Sequence, residues 1–324
     1  MIPALVLSAG LATRLRPLSS VRAKAAMPVA GEPLVRRILR QLRTAGIEDA
    51  VLNLHHLPHT ITGVVGDGSD LGLRVRYSWE VPILGSAGGP RLALPIIGAT
   101  TFLIANGDTL TNVDVAALVA AHRRTGALVT MAVVASLEGA PAGGEAGWRA
   151  RYGGVLVDAA GAVTGFSRRG SGEPSYHFVG VQAVEADAFA PVNRGAAAES
   201  VGGVYPSLLR SRPGTVRAHV CAAEFFDIGT AADYLHTSLR IAAREPGSTA
   251  HGAGTCVHPT ARVSDSILWD DVEVGAGSRL DRCIVADGAC VPAGTAWTQV
   301  TLRPAEGDLT PGEQRVGRLA VGPI

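Results

Sequence analysis

Apolar runs and amphipathic stretches alternate along the first two thirds of the chain. Ala4 to Leu7 is a short continuous apolar run, the pattern of a strand buried on both faces. Pro33 to Thr44 carries apolar positions at helical spacing behind a proline, which reads as a helix start. The same reading predicts strands over Ala50–Leu54, Leu73–Tyr77, Thr101–Ala105 and Ala127–Val134, a helix from Ser86 and another over Val113–Arg124. Strands alternating with helices predict an α/β layer on a mostly parallel sheet. Gly139 to Gly147 reads as a flexible loop, and residues 152–245 as further elements flanking the same sheet.

After Glu245-Pro246-Gly247-Ser248 the texture changes. Val257, Val274 and Val291 recur at a constant spacing, accompanied by Ala261, Ser278 and Thr295, by Val263, Leu280 and Trp297, and by Ile267 and Ile284. One inward aliphatic per short strand with small residues at the corners is the requirement of a parallel β-helix. Roughly two and a half coils are too few to stand alone, so they are expected to pack on the first domain or on another subunit. The expected organisation is therefore an α/β domain over 1–247, a β-helix over 248–303 and an irregular tail over 304–324.

Composition narrows the class. With 47% hydrophobic and 18% charged residues in 324, the chain has material for full cores and is not a disordered one. Its charges nearly cancel, 29 basic against 28 acidic, which argues against nucleic acid as a partner. No uncharged apolar run reaches the roughly 18 residues of a membrane span. The apolar N-terminus lacks a preceding basic residue and is expected to be a strand, so a cytoplasmic protein is the expectation. Cys221, Cys256, Cys283 and Cys290 form no CxxC pair; reduced thiols are expected, with Cys256 and Cys290 packing at equivalent repeat positions. The 29 basic residues are 28 arginines and one lysine, Lys24. An ammonium is a compact point charge where a guanidinium is a planar fork, so a solitary lysine marks a place that needs the former.

The opening strand runs into Leu7-Ser8-Ala9-Gly10-Leu11-Ala12-Thr13-Arg14-Leu15-Arg16-Pro17-Leu18. A strand, a glycine-bearing turn and an arginine can cradle a phosphate through backbone N–H groups and a forked charge. By spacing alone an ordinary strand-to-helix turn explains it as well, and it matches neither a Walker loop nor a dinucleotide fingerprint.

Taken to Val29, these residues resemble the nucleotide-binding motif of sugar-1-phosphate nucleotidylyltransferases, L-x-A-G-x-G-T-R-L-x-P-L-T followed by P-K and P-V. Leu7, Ala9, Gly10, Thr13, Arg14, Leu15, Pro17, Leu18, Lys24, Pro28 and Val29 fall in place, and Lys24 takes the position of the phosphate-binding lysine. Ala12 stands for the second glycine and Ala23 for the proline before the lysine. Glu80 with Leu84-Gly85-Ser86-Ala87-Gly88-Gly89 resembles the element lining base and ribose, Asn106-Gly107-Asp108 the metal-binding aspartate of a central strand, and Phe226-Asp227-Ile228-Gly229-Thr230 the second metal carboxylate. Tyr152-Gly153 and Phe166-Ser167-Arg168-Arg169 resemble the sugar-phosphate segments, with an Arg-Arg pair where Glu-Lys is usual, and Phe178-Val179-Gly180-Val181 a sugar-pocket strand.

The resemblance implies a Rossmann-like nucleotidyltransferase domain with a C-terminal left-handed parallel β-helix. It implies nucleotide contacts at Leu7, Ala9, Gly10, Thr13, Arg14, Glu80, Gly85, Ser86 and Gly88, and sugar-phosphate contacts at Gly153, Arg169 and Gly180. Arg14, Lys24, Asp108 and Asp227 become the catalytic set, and Asp108 and Asp227 the ligands of Mg²⁺. The reaction implied joins an NTP to a sugar 1-phosphate with release of pyrophosphate. GTP and mannose 1-phosphate are the favoured pair, with N-acetylmuramate 1-phosphate and UTP, or another hexose or heptose 1-phosphate, as alternatives. A homo-oligomer built through the β-helix is expected. A nucleotide-sugar-binding regulatory subunit is the non-enzyme alternative, favoured by Ala12, Ala23 and the Arg-Arg pair.

Overall fold

A computed structural model describes residues 2–136, 144–245 and 251–324. The chain forms two compact units that interleave along the sequence: Met1–Gly10, Val35–Pro58 and Val65–Phe226 in the first, Leu11–Leu34, His59–Val64 and Asp227–Ile324 in the second.

The first unit is built on a seven-stranded sheet of β1 (Ala4–Leu7), β2 (Asp49–Leu54), β3 (Arg74–Trp79), β4 (Thr101–Asn106), β5 (Val129–Val134), β6 (His177–Glu185) and β7 (Val216–Val220). Their spatial order is β7-β5-β6-β4-β1-β2-β3. Around β1 the sheet is parallel, with Ala4 opposite Ala50 on one side and Leu103 on the other. Leu5, Val51, Phe102, Ile104 and Met131 are wholly buried, as both-face burial of such runs demands. Helices Gly85–Ile97 and Val115–Thr125 follow β3 and β4; Asp114 caps the second by accepting from Ala117 N at 2.9 Å.

The region 152–245 does more than flank this sheet. β6 enters between β4 and β5 and runs antiparallel to both. The sequence pattern assigns this region no direction, because apolar content alone carries none. Of the expected flexible loop at Gly139–Gly147, residues 139–143 lie outside the described residues, and a helix spans Gly144–Arg151.

In the second unit the repeat becomes a register. Val257 pairs with Val274 and Val274 with Val291; Val263, Leu280 and Trp297 align on a second side, and Ile267 with Ile284 on a third. The three parallel sheets make a short left-handed β-helix whose interior holds Val274, Leu280, Val285, Val291 and Leu302. Cys256 and Cys290 do not pack inside it: both are exposed, two coils apart with Glu273 between them. Residues 304–324 are not irregular either. Gln314–Val316 and Leu319–Pro323 add an antiparallel hairpin to the edge of one β-helix sheet. Charged and turn-forming residues between the strands hide it from a hydrophobic pattern. It is held by the buried Arg303–Glu313 pair, 2.7 Å apart.

Candidate active site

In the first unit, β1 is followed by β2 on one side and flanked by β4 on the other, so the strand order reverses there. Ligands of open α/β sheets sit at such a switch point, beyond the carboxyl ends of the strands. A cavity of about 230 Å³ opens at this place, lined by residues that include Leu7, Ala9, Gly10, Glu80, Ser86 and Asp108. Gly85, Asn53, Ile83 and Asn106 complete its wall. Gly107 lets the Asn106–Asp108 turn tuck against β1, since a Cβ there would stand 2.5 Å from the Leu7 carbonyl oxygen.

The floor is a buried polar chain. Asn53 Oδ1 accepts from Ser8 N at 2.6 Å, and Ser8 Oγ donates to the Asn53 carbonyl at 2.6 Å. Asn53 Nδ2 donates to Glu80 Oε1 at 2.7 Å, while Glu80 Oε2 accepts from Leu84 N at 2.8 Å. Glu80, 1% exposed, thus has a protein donor at each oxygen and fixes the loop ahead of Gly85. Ser86 is fixed from outside: its Oγ donates to Glu199 Oε2 at 2.5 Å and accepts from Ser200 N at 2.8 Å. Gly88 faces this same clamp, its N–H donating to the Ala198 carbonyl at 3.1 Å. Sequence patterns do not mark Asn53 and Glu199: the first is a polar residue within an apolar strand and the second a loop carboxylate ahead of Ser200.

The expected sugar-phosphate residues fall into two groups, both in the first unit. The hairpin of Gly154–Val157 and Val163–Ser167 turns Gly153 toward Arg169: a Cβ on Gly153 would lie 2.8 Å from the Ser167 carbonyl and 3.9 Å from Arg169 N. Arg169 Nε donates to the Ala150 carbonyl at 2.9 Å. Gly180 occupies a register shift of β6 with φ +87°, and a Cβ there would meet Thr109 Oγ1 at 2.8 Å. Only glycine accepts both the angle and the approach. Nearby in sequence, His177 is buried among Trp148, Tyr152 and Phe225, with ring centroids 5.4, 4.9 and 4.4 Å away. Burial pushes this imidazole down to about 4. No sequence pattern distinguishes it from an ordinary strand histidine. His55 Nδ1 lies 2.9 Å from the Glu80 carbonyl oxygen.

The second unit carries the remaining candidates. Ala12 adopts φ 47° and ψ 44°, supplying the left-handed turn for which the resembling motif uses glycine. Thr13–Leu15 then forms a single 3₁₀ turn containing Arg14. Lys24 opens another 3₁₀ turn and is 9% exposed. Arg14 and Asp227 converge on Gly229, where a Cβ would stand 2.9 Å from Asp227 Oδ2 and 3.1 Å from Arg14 Nη2. Thr230 caps the helix Ala231–Arg244, with Oγ1 accepting from Asp233 N at 3.1 Å. Among the described residues no three His, Cys, Asp or Glu side chains gather at metal-binding range.

An α/β sheet with a cavity at its switch point, followed along the chain by a β-helix, is the architecture of a ligand-binding α/β protein. Comparison with known proteins specifies it. The profile described as nucleotidyl transferase matches residues 3–243, and that described as GlmU-like, C-terminal hexapeptide matches 249–299. The mannose-1-phosphate guanylyltransferase of Mycobacterium tuberculosis is 30% identical over 304 residues, 90% of this chain and 82% of that protein. The N-acetylmuramate alpha-1-phosphate uridylyltransferase of Neisseria meningitidis serogroup B is 41% identical over 112 residues, 34% of this chain and 48% of that one. HddC from Yersinia pseudotuberculosis, in a crystal structure with GMP-PN, shares the fold with a TM-score of 0.61 at 21% identity, over 74% of this chain and all of its own. The chain belongs to the sugar-1-phosphate nucleotidyltransferase family.

Proposed function

We propose that the protein joins GTP and mannose 1-phosphate to give GDP-mannose and pyrophosphate. The observation that carries this reading is the guanylyltransferase relative, matched along 90% of this chain and so through both the α/β region and the β-helix. A phosphate oxygen of the sugar 1-phosphate attacks the α-phosphorus of the NTP, and the bond to the β-phosphate oxygen breaks with pyrophosphate leaving in line. The nucleophile is already ionised at neutral pH, so no general base is required. What the protein must supply is orientation of two polyanions and charge to offset their repulsion.

Each residue has a task in that scheme. Gly10, Gly85 and Ser86 form the wall against which base and ribose lie. Arg14 binds the β- and γ-phosphates through its planar fork, Lys24 holds the α-phosphate as a point charge, and Arg169 orients the sugar phosphate. Asp108 and Asp227 would hold Mg²⁺, which when bound supplies Lewis-acid neutralisation at the α-phosphate.

A second reading, uridylyl transfer to N-acetylmuramate 1-phosphate, is favoured by the higher identity, 41%, of the uridylyltransferase relative over 34% of this chain. Pyrophosphate release measured across the four NTPs, each with mannose-, glucose-, N-acetylmuramate- and heptose 1-phosphate, separates the two. Turnover confined to GTP with mannose 1-phosphate is the expected result, and Lys24→Ala should lower it by about a hundredfold or more. Turnover with UTP and N-acetylmuramate 1-phosphate replaces the first reading by the second. Silence across the panel with GDP-mannose still bound would mean a regulatory subunit.

A further inference from the structure

Within the second unit, the loop that carries Arg14 and Lys24 is fastened to the β-helix at one charged point. Arg22 Nε donates to Asp287 Oδ2 at 2.6 Å, and its Nη2 donates to Asp287 Oδ1 at 2.7 Å and to Asp270 Oδ2 at 2.5 Å. Its guanidinium also lies 5.5 Å from the centroid of the buried Trp269 ring. Asp270 and Asp287 are 17 residues apart, one turn of the β-helix, and Asp270 N donates to Asp287 Oδ1 at 3.1 Å. They therefore stack as like charges on consecutive rungs, an arrangement that is unfavourable without a cation. Burial, partly offset by the hydrogen bonds from Arg22, leaves the Asp287 carboxyl above the usual carboxylate range. Among the described residues the cation that meets the pair is Arg22, which comes from the loop.

The same contact continues inward. Trp269 Nε1 donates to Tyr234 Oη at 2.9 Å, and Tyr234 Oη donates to the Pro28 carbonyl at 2.5 Å. Ala23 N donates to Thr60 Oγ1 at 3.1 Å and Ala30 N to Ser238 Oγ at 2.8 Å. Residues 22, 23, 28 and 30 are thus each tied down, and Lys24 sits between them. The Nε and Nη2 donors of Arg22 are directed at the aspartates, so this side chain is committed to the β-helix.

We propose that the stacked pair Asp270–Asp287 is a latch through which the β-helix positions the Arg14–Lys24 loop for phosphate chemistry, with Arg22 as a positioning residue. The chemical part of this rests on the nucleotidyl-transfer reading above; the mechanical part does not.

The test uses the full chain with changes on either side of the latch: Arg22→Met and the double variant Asp270→Asn/Asp287→Asn, with Arg22→Lys as the conservative control. Steady-state kinetics and amide hydrogen exchange without substrate are both read. The expected result is a kcat lowered roughly ten- to hundredfold in both disruptive variants, since small misplacements of catalytic groups cost that much. The KM for NTP should change less than about threefold, and Arg22→Lys should recover part of kcat. Amides of residues 22–30 should exchange about tenfold faster while those of the central sheet keep their protection. Melting temperature lowered with kcat within about twofold of wild type would show a purely structural pair and overturn the proposal. If wild type turns over no substrate pair, the functional reading fails by itself and exchange decides: unchanged protection of residues 22–30 in the variants overturns the latch, and faster exchange upholds it. Should one disruptive variant fail to fold, the other carries the same readings.

Discussion

Ala12 holds a backbone conformation that costs an L-residue about 1–2 kcal/mol, at the head of the loop that carries Arg14. Glycine removes that cost but gives the unfolded chain extra freedom worth about 0.4–1 kcal/mol. Ala12→Gly is therefore expected to stabilise the protein by about 0.5–1 kcal/mol, read as a higher urea midpoint at unchanged slope. A lower midpoint would mean that the methyl makes contacts outweighing the strain. The substitution of alanine for glycine was legible in the sequence, and so was the solitary Lys24, because each departs from a pattern. The roles of Ser8, Asn53 and Glu80 were not, because a hydrogen-bond chain of 2.6–2.8 Å links residues 8, 53, 80 and 84 and leaves no trace in their spacing. The motif gives Glu80 an expected nucleotide contact; the distances show that it holds the cavity wall in place through Asn53 and Leu84.

At the level of elements, strands were legible wherever burial on both faces made them continuous apolar runs, as in β1, β2 and β4. Direction was not legible, and β6 entered antiparallel. The hairpin at the chain's end shows the opposite failure. Its strands Gln314–Val316 and Leu319–Pro323 follow a segment rich in charge and turn residues, and a buried ion pair, Arg303 at 8% and Glu313 at 1% side-chain exposure, adds to the backbone pairing that holds it. Arg303 also donates to the carbonyls of Pro304, Glu306 and Asp308, so its guanidinium organises the whole turn. Removing one partner of a buried pair leaves the other charge uncompensated, at about 3–5 kcal/mol. Arg303→Met should lower stability by that order in thermal unfolding, and the double change Arg303→Met/Glu313→Leu should recover part of it. Equal loss in both would show that the carbonyl bonds, and not the charge pair, hold the hairpin.

For the molecule as a whole, the 17-residue period was the most informative feature of the sequence, since it predicted which residues stand opposite one another over two successive coils. The interleaved division into two units was invisible, because segments 11–34 and 59–64 look like ordinary connections of the α/β domain. Whole-molecule stability should also follow pH through His177. Its folded-state value, about 4, lies below the 6.5 of an unfolded histidine, so the unfolded chain binds the extra proton between the two. This contribution is fully present above pH 6.5 and declines as pH falls toward 4, by about 3 kcal/mol in total. In urea titrations the stability of wild type relative to His177→Phe should fall by about 3 kcal/mol between pH 8 and pH 4. Parallel curves would show that the imidazole accepts its proton in place.

The interleaving has a consequence for how the chain is made. Arg22 and Asp287 are 265 residues apart. At synthesis rates of 5–20 residues per second, Arg22 leaves the ribosome roughly 13–53 s before its partner exists. Through that interval the loop bearing Arg14 and Lys24 has neither the aspartate ladder nor the Tyr234 hydroxyl to close on. Chains truncated before residue 234 therefore contain the whole signature loop and Thr60, but lack Tyr234, Ser238 and the aspartate pair that seat the rest of it.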